Sequence, residues 1–275
     1  TFDAGAVLHD IEKYQVSTMF GAPTMFTMMS QHDAFADTDF RSVISFNVGS
    51  APVPLPLLNI YASRGVTFCQ GYGLTETSPY VTVLGSKFAI SKIGSAGQPL
   101  MFTSVRIVDG RGQTVANGER GEIWIKGPNV MKGYWNRPEA TAEAVDEDGW
   151  FHSGDVGYFD DDSFLFICDR IKDMVISGGE NIYPAEVESV LFEHSAIAEV
   201  AVIGVPDDKW GELLVAVVVL HKGTTLDLEE LQGFVGGKLA RYKLPRKLHL
   251  VDALPRNPAG KVQKFILKQQ MTEAV

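Results

Sequence analysis

Four short segments hold residue types that could do chemistry together. Gln70-Gly71-Tyr72-Gly73-Leu74-Thr75-Glu76 combines glycines, a flat aromatic, a hydroxyl and a carboxylate in one run. Glycines after an apolar stretch let the backbone approach a ligand closely. Tyr72 offers a face for a base, Thr75 a hydroxyl for a phosphate, and Glu76 a hard oxygen ligand for Mg²⁺. The third glycine of a dinucleotide fingerprint is missing, and a plain tight turn accounts for the same residues equally well. Gly149-Trp150-Phe151-His152-Ser153-Gly154-Asp155 ends in an acid able to accept from vicinal ribose hydroxyls. An Asp satisfying its own turn is the plainer reading of that segment.

Asp169-Arg170-Ile171-Lys172-Asp173 is followed by Ile176-Ser177-Gly178-Gly179-Glu180-Asn181. Charges at a domain junction are usually just solvated. A Gly-Gly pair there suits a hinge or the passage of a thin ligand along the backbone. Pro255-Arg256-Asn257-Pro258-Ala259-Gly260-Lys261 reads as a surface turn. It also reads as a loop whose Lys261 is carried in to meet negative charge developing on a carboxylate or phosphate.

The elements around these segments change texture twice. Ala6, Val7, Leu8, Ile11 and Tyr14 fall near helical spacing within 4–14, and Leu55 to Ser63 reads as a second helix. Val16 to Phe20, Val43 to Val48 and Val66 to Cys69 are short β-rich runs, so 1–84 suggests an α/β layer with a mostly parallel sheet. From about 85 to 170 short strands (Ser104 to Val108, Gly121 to Ile125, Phe164 to Ile167) alternate with turn-rich stretches, as in a small barrel or distorted sheet. From 173 to 275 Pro184 opens a helix, and Glu199 to Val205 and Leu213 to Leu220 are strands. Asp227 and Glu230 form a capping-box pattern ahead of Leu231, Phe234, Val235 and Leu239, and Lys247 to Val251 closes with a strand. The expected fold class is therefore mixed α/β: a partial α/β layer, a β-barrel-like subdomain, and a compact α+β C-terminal domain.

Composition narrows the chemistry further. The chain has 275 residues, 45% hydrophobic and 21% charged, with a net charge of −10. That suits a folded globular protein and argues against nucleic acid as a main partner, though not against a nucleotide. Cys69 and Cys168 form no disulfide framework or zinc spacing, which suits a reducing, cytoplasmic compartment. No window approaches the ~18 consecutive apolar residues of a membrane span. Thr1-Phe2-Asp3 reads as a cut inside a longer protein.

In their order and spacing these segments resemble the adenylate-forming superfamily of acyl-CoA synthetases, luciferases and peptide-synthetase adenylation domains. The resemblance rests on Gly71 to Glu76, Gly121-Glu122-Ile123-Trp124, Gly133-Tyr134-Trp135, Gly149-Trp150 through Gly154-Asp155, Asp169 to Asp173, Gly178-Gly179-Glu180 and Gly260-Lys261. It implies that Tyr72, between Gly71 and Gly73, lies against adenine, with Thr75 and Glu76 facing phosphates and Mg²⁺. It implies that Asp155 holds the ribose with Arg170, and that Lys172 is the hinge about which the C-terminal domain turns. Lys261 would contact the carboxylate and α-phosphate. Ser177, Gly178 and Gly179 would line a pantetheine channel, and Phe20, Gly21, Gly49, Ser50 and Ala51 would border an acyl pocket.

The implied reaction is attack of a carboxylate on the α-phosphate of ATP, giving an acyl-adenylate and pyrophosphate, then displacement of AMP by coenzyme A. The implied partners are a fatty or aryl acid, ATP and CoA, with a fatty acid favoured. A homo-oligomer is left open. The superfamily's phosphate loop, ending Pro-Lys-Gly, and an aromatic-His segment do not occur, so this chain alone is expected to be inactive in full turnover. Adenylation for a non-CoA acceptor and a non-catalytic nucleotide-binding module stand as alternatives. Met19, Phe20, Met25, Phe26, Met28 and Met29 form an apolar stretch that suits either core or pocket.

Overall fold

Asp3 accepts the Ala6 N–H at 2.9 Å and so caps the first helix, α1 (Ala4–Tyr14), which buries Ala4, Leu8 and Ile11 on one face. Residues 2–49, 53, 55–257 and 261–273 are described by the computed structural model. The chain divides into two units, Thr1–Ile167 and Cys168–Val275. Ser50, Ala51 and Gly260, named above, lie outside the described residues.

In the first unit, strand β1 (Thr18–Gly21) leads through helix α2 (Pro23–Ser30) to β2 (Ser45–Val48), and helix α3 (Leu55–Ala62) leads to β3 (Phe68–Gly73). The three strands are parallel, with Gly21 opposite Val48 and Val48 opposite Gln70, so their carboxyl ends lie along one side of the sheet. Helices cover the sheet because its core face is aromatic. Phe26 packs its ring 5.0 Å from Phe46 and 5.2 Å from Phe68, with Tyr61 edge-on beside them. Tyr61 is fully buried, which pushes its phenol far upward, and its O–H donates to Phe26 O at 2.9 Å. Each such buried ring contributes roughly 1.5–3 kcal/mol, enough to hold a short parallel layer together.

The apolar stretch from Met19 to Met29 divides accordingly. Phe26 and Met29 are core on α2, which the sequence pattern did not reveal as a helix, whereas Phe20 and Met28 are exposed.

Beyond β3 the chain turns back as β4 (Tyr80–Leu84), then runs through β5 (Ser95–Pro99), β6 (Ser104–Val108) and β7 (Gly121–Lys126). Helix α4 (Pro138–Ala144) precedes β8 (Phe151–Phe159) and β9 (Leu165–Arg170). The strand order is β1-β2-β3-β4-β5-β9-β8-β7-β6, so the β-rich stretch continues the sheet begun by the α/β layer.

In the second unit β10 (Val175–Ser177) and β11 (Glu180–Ile182) form a hairpin. Its two-residue turn is Gly178-Gly179, with φ of +62° and +86°. Both positions need left-handed backbone, as a primed hairpin turn does. Helix α5 (Pro184–Leu191) follows, then the long antiparallel pair β12 (Ile197–Asp207) and β13 (Gly211–Leu220). Helix α6 (Leu228–Val235) is capped by Asp227, which accepts the Glu230 N–H at 2.8 Å. Strand β14 (Lys247–Leu250) pairs parallel with β13, and helix α7 (Lys264–Glu273) comes last.

The unbroken apolar run of β13 is buried on both faces. Leu214, Ala216 and Val218 meet Val187 and Leu191 of α5 and Leu231 and Val235 of α6. Leu213, Val215 and Val217 meet Leu254 and Leu267, the latter on α7. Among the described residues no helix is long and apolar enough to cross a membrane.

Candidate functional site

The carboxyl ends of parallel strands are where open α/β sheets bind ligands, and the first unit places the glycine-tyrosine segment there. Tyr72 lies near the end of β3, and its O–H donates to Asp155 Oδ2 at 2.7 Å. These two residues, assigned above to the adenine and ribose of one nucleotide, are 83 positions apart in sequence and in direct contact in the fold. Asp155 is only 7% exposed and sits within β8 rather than in a turn, so the local-turn reading of that acid does not hold.

Strand β7 braces the segment that carries Asp155. Glu122 Oε1 accepts the Gly154 N–H at 3.0 Å and Glu122 Oε2 accepts the Trp124 Nε1–H at 2.9 Å. Ser153 Oγ donates to Ile123 O at 2.6 Å and accepts the Asp155 N–H at 3.1 Å. The Trp124 and His152 rings stack at 3.8 Å. Burial would raise the Asp146 carboxyl, but the Trp150 N–H and the nearby His152 outweigh it and hold that carboxyl below the ordinary range.

The two glycines flanking Tyr72 have a reason other than ligand approach. A Cβ at Gly73 would lie 1.8 Å from Pro79 O, and one at Gly71 would lie 2.4 Å from the Tyr80 ring. Both spaces are filled by the chain returning as β4, so here glycine permits a tight fold-back. Thr75, Glu76 and Thr77 form a single 3-10 turn after it, with Thr77 Oγ1 accepting the Leu74 N–H at 2.9 Å. Asn129 donates to Thr77 O and Tyr80 O, both at 3.1 Å, and clamps that turn from outside.

Glu76 is half-buried, and its Oε1 accepts from Tyr134 O–H at 2.9 Å. Burial and this carboxylate together raise the Tyr134 phenol. Tyr134 was named in the sequence only as part of a matching segment, and its contact with Glu76 spans 58 positions. A polar aromatic in a glycine-bearing loop is the one local signal that could have found it. Among the described residues no group of three acidic, His or Cys side chains could cage a metal. A single carboxylate nonetheless fits magnesium, which usually takes one or two carboxylates, waters and substrate phosphates.

The acyl-pocket residues that are described lie at the same strand ends. Gly21 closes β1 and Gly49 follows β2, where a Cβ on Gly49 would lie 3.1 Å from the Phe20 ring. Phe20 itself is 59% exposed. Gln70, which opens the glycine-tyrosine segment but was given no role there, is 5% exposed and accepts the Val53 N–H at 3.0 Å. Its amide nitrogen has no protein partner among the described residues, which is where a ligand or water commonly completes the set.

The remaining assigned residues belong to the second unit. Arg170 and Lys172 are exposed at its entry, Lys172 within the short turn Ile171–Asp173. Gly178 and Gly179 are exposed, and a Cβ on Gly178 would lie 3.0 Å from Trp210, whose backbone oxygen accepts the Gly178 N–H at 2.8 Å. Lys261 is exposed at the foot of α7, and its N–H donates to Asn257 Oδ1 at 2.9 Å.

Comparison with known proteins identifies the family. The family profile described as AMP-binding enzyme matches residues 1–135, and that described as AMP-binding enzyme C-terminal domain matches 186–261. A feruloyl-CoA synthase of an Amycolatopsis species is 49% identical over 263 residues, covering 96% of this chain and 53% of the relative. A long-chain-fatty-acid–CoA ligase of Mycobacterium tuberculosis is 44% identical over 274 residues, covering 100% of this chain and 54% of the relative. The solved o-succinylbenzoate CoA synthetase of Bacillus subtilis, in complex with its acyl-adenylate intermediate, superposes with a TM-score of 0.88 at 40% identity. That match covers 98% of this chain and 54% of the solved one. The chain thus spans about half the length of the curated relatives it matches.

Proposed function

The chain belongs to the AMP-binding, adenylate-forming enzyme family, and on that premise we propose that it serves ATP-dependent activation of a carboxylic acid. The acid becomes acyl-AMP with release of pyrophosphate, and coenzyme A then displaces AMP to give acyl-CoA. The observation that carries the reading is the Tyr72–Asp155 pair at the carboxyl end of the parallel strands, with the Glu76 turn next along the chain.

In this proposal each residue has a task. Tyr72 gives adenine a flat wall, and the acid of Asp155, backed by Arg170, accepts from the ribose hydroxyls. Thr75 and Glu76 face the phosphates, and Glu76 is the residue that would hold Mg²⁺. The metal, when bound, offsets charge on the phosphates. Lys261 neutralises charge developing between the attacking carboxylate and the α-phosphate, the main need of this displacement. Lys172 supplies the hinge for a second half-reaction, in which Gly178 and Gly179 border the path of the CoA thiol.

The acid is assigned to the fatty class, with aryl acids as the competing set. The exposed apolar ring of Phe20 at the end of β1, beside Gly49, supports an apolar acyl group. The relatives named above take feruloyl, long-chain fatty and succinylbenzoate acids, so a panel of acids has to separate these classes.

Calorimetry of AMP binding to this chain, with Asp155→Ala beside it, tests the nucleotide site. Saturable binding that the substitution weakens about tenfold or more supports it. Binding of equal strength in both proteins would remove Asp155 from the site and, with it, the observation on which the reading stands.

A further inference from the structure

Helices α5 and α7 pack on opposite faces of the second unit's sheet, and one ion pair joins them around its border. Lys264 Nζ lies 2.7 Å from Glu188 Oε1, with side chains only 16% and 21% exposed. The same carboxylate oxygen accepts the Val202 N–H at 2.7 Å. Strand β12, which carries Val202, ends the strand order, so among the described residues no strand lies on its outer side to take that amide. Glu188 therefore reaches from α5 over the outer side of β12 and meets Lys264 arriving from α7.

Both ends of this pair connect to assigned segments. Lys264 is the first residue of α7, three positions after Lys261. Residues 255–257 and 261–263 pair with one another. Asn257 N–H donates to Lys261 O at 2.9 Å, Gln263 N–H to Pro255 O at 2.8 Å, and Arg256 pairs with Val262 as a β-bridge. At the other end, Asp169 Oδ2 accepts the Ala185 N–H at 2.8 Å and so caps the start of α5. Asp169 is also close enough to act on Glu188. Burial raises the Glu188 carboxyl, Lys264 and the Val202 N–H oppose that, and the charge of Asp169 adds to the rise.

We infer that the Glu188–Lys264 pair is a positioning device for Lys261, tying the paired residues 255–257 and 261–263 to α5 and, through the Asp169 cap, to the Asp169–Asp173 segment. This rests on the proposed role of Lys261 as the cation of adenylate formation. An exposed lysine on a short loop loses effective charge placement when the loop wanders, and ångström-scale misplacement is costly in rate. The pair removes that freedom three residues away without touching substrate.

Hydrogen exchange on this chain tests the tie, and half-reaction kinetics on a polypeptide of full family length carrying this sequence tests its purpose. Lys264→Met should raise exchange in 255–263 by about tenfold or more while 213–218 stays protected, and Lys264→Arg should restore the protection. In the longer polypeptide Lys264→Met should lower kcat for acyl-adenylate formation about tenfold with KM for ATP unchanged, again recovered by Lys264→Arg. If Lys264→Met does not fold, Glu188→Gln, which keeps an acceptor for the Val202 N–H, replaces it. Unchanged exchange in 255–263 overturns the tie, and a uniform rise across the whole unit reduces the pair to general stability and overturns it too. Loosened exchange with unaltered kcat overturns the positioning role alone. Full adenylation by Lys261→Ala would instead sink the reading of Lys261, with the exchange result still standing.

Discussion

The two units treat their candidate functional groups in opposite ways. In the first, Tyr72 and Asp155 are already bonded to each other, and Glu76 is already bonded to Tyr134. Asp155 is buried, and the surrounding strands fix its backbone. In the second, Lys172 and Lys261 are exposed, and Lys261 is held through its backbone rather than its ammonium. A preorganised acceptor set suits recognition of a ligand whose shape does not change, since little has to be ordered on binding. Exposed cations on turns suit groups that act in one step and are withdrawn in another. The difference teaches that affinity should map to the first unit and rate to the second.

The sharpest way to break that division is Lys261→Ala in a polypeptide of full family length. The rate of acyl-adenylate formation should fall about a hundredfold or more, with AMP affinity unaltered. An equal loss in binding and rate would erase the contrast. Next comes Asp155→Ala, expected to weaken AMP about tenfold to a hundredfold by calorimetry, the range for hydrogen bonds to a charged group. Tyr134→Phe should have a smaller effect. It removes one hydrogen bond from Glu76 and should weaken magnesium-ATP about two- to fivefold, while metal-free AMP binds as before. Equal weakening of both ligands would detach Glu76 from the metal.

The smallest effect lies in the first unit but apart from its candidate site residues. Lys92 bonds Asp160 at 2.7 Å and Asp162 at 2.5 Å. Burial alone would raise the Asp160 carboxyl, but Lys92 and the Phe164 N–H hold it below the ordinary range. A carboxyl lowered by folding stabilises the protein above its ordinary pKa, and that contribution is lost as pH falls through the lowered value. Lys92→Met should therefore lower Tm slightly near pH 7 and make a vanishing difference once pH has fallen below that lowered value. AMP affinity should not move in either condition, and thermal scans across pH check this.

Where the sequence was legible, a local physical signal existed. The spacing of Leu8 and Ile11 marks α1, Asp227 announces a helix start through its side-chain cap, Pro184 opens α5, and the run Leu213 to Leu220 is long and apolar enough to demand burial on both faces. The Gly-Gly pair was open between hinge and ligand path, and its backbone is that of a hairpin turn. Where no local signal existed, the fold was opaque. Helix α7 buries Leu267 and little else among strongly apolar residues, so no stripe marks it. Strand β8 carries His152, Ser153 and Gly154, residue types that suggest a turn, because the Glu122 and Ile123 partners that make them strand lie on β7. The site follows the same rule. Tyr72 and Asp155 were each legible as segment types, but their bond, like that of Glu76 with Tyr134, comes from tertiary packing across long separations.

The cover over β12 has a consequence for how the protein behaves in concentrated solution. An outer strand with open amides is a template onto which another chain can add a strand, and long apolar ones are the worst offenders. Val200 to Val205 is such a stretch, and the Glu188 carboxylate occupies the Val202 N–H that an incoming strand would seek. The same two side chains that hold α5 and α7 together thus act as a guard against self-association, and variants that remove either should precipitate earlier on storage than those altered at the exposed cations.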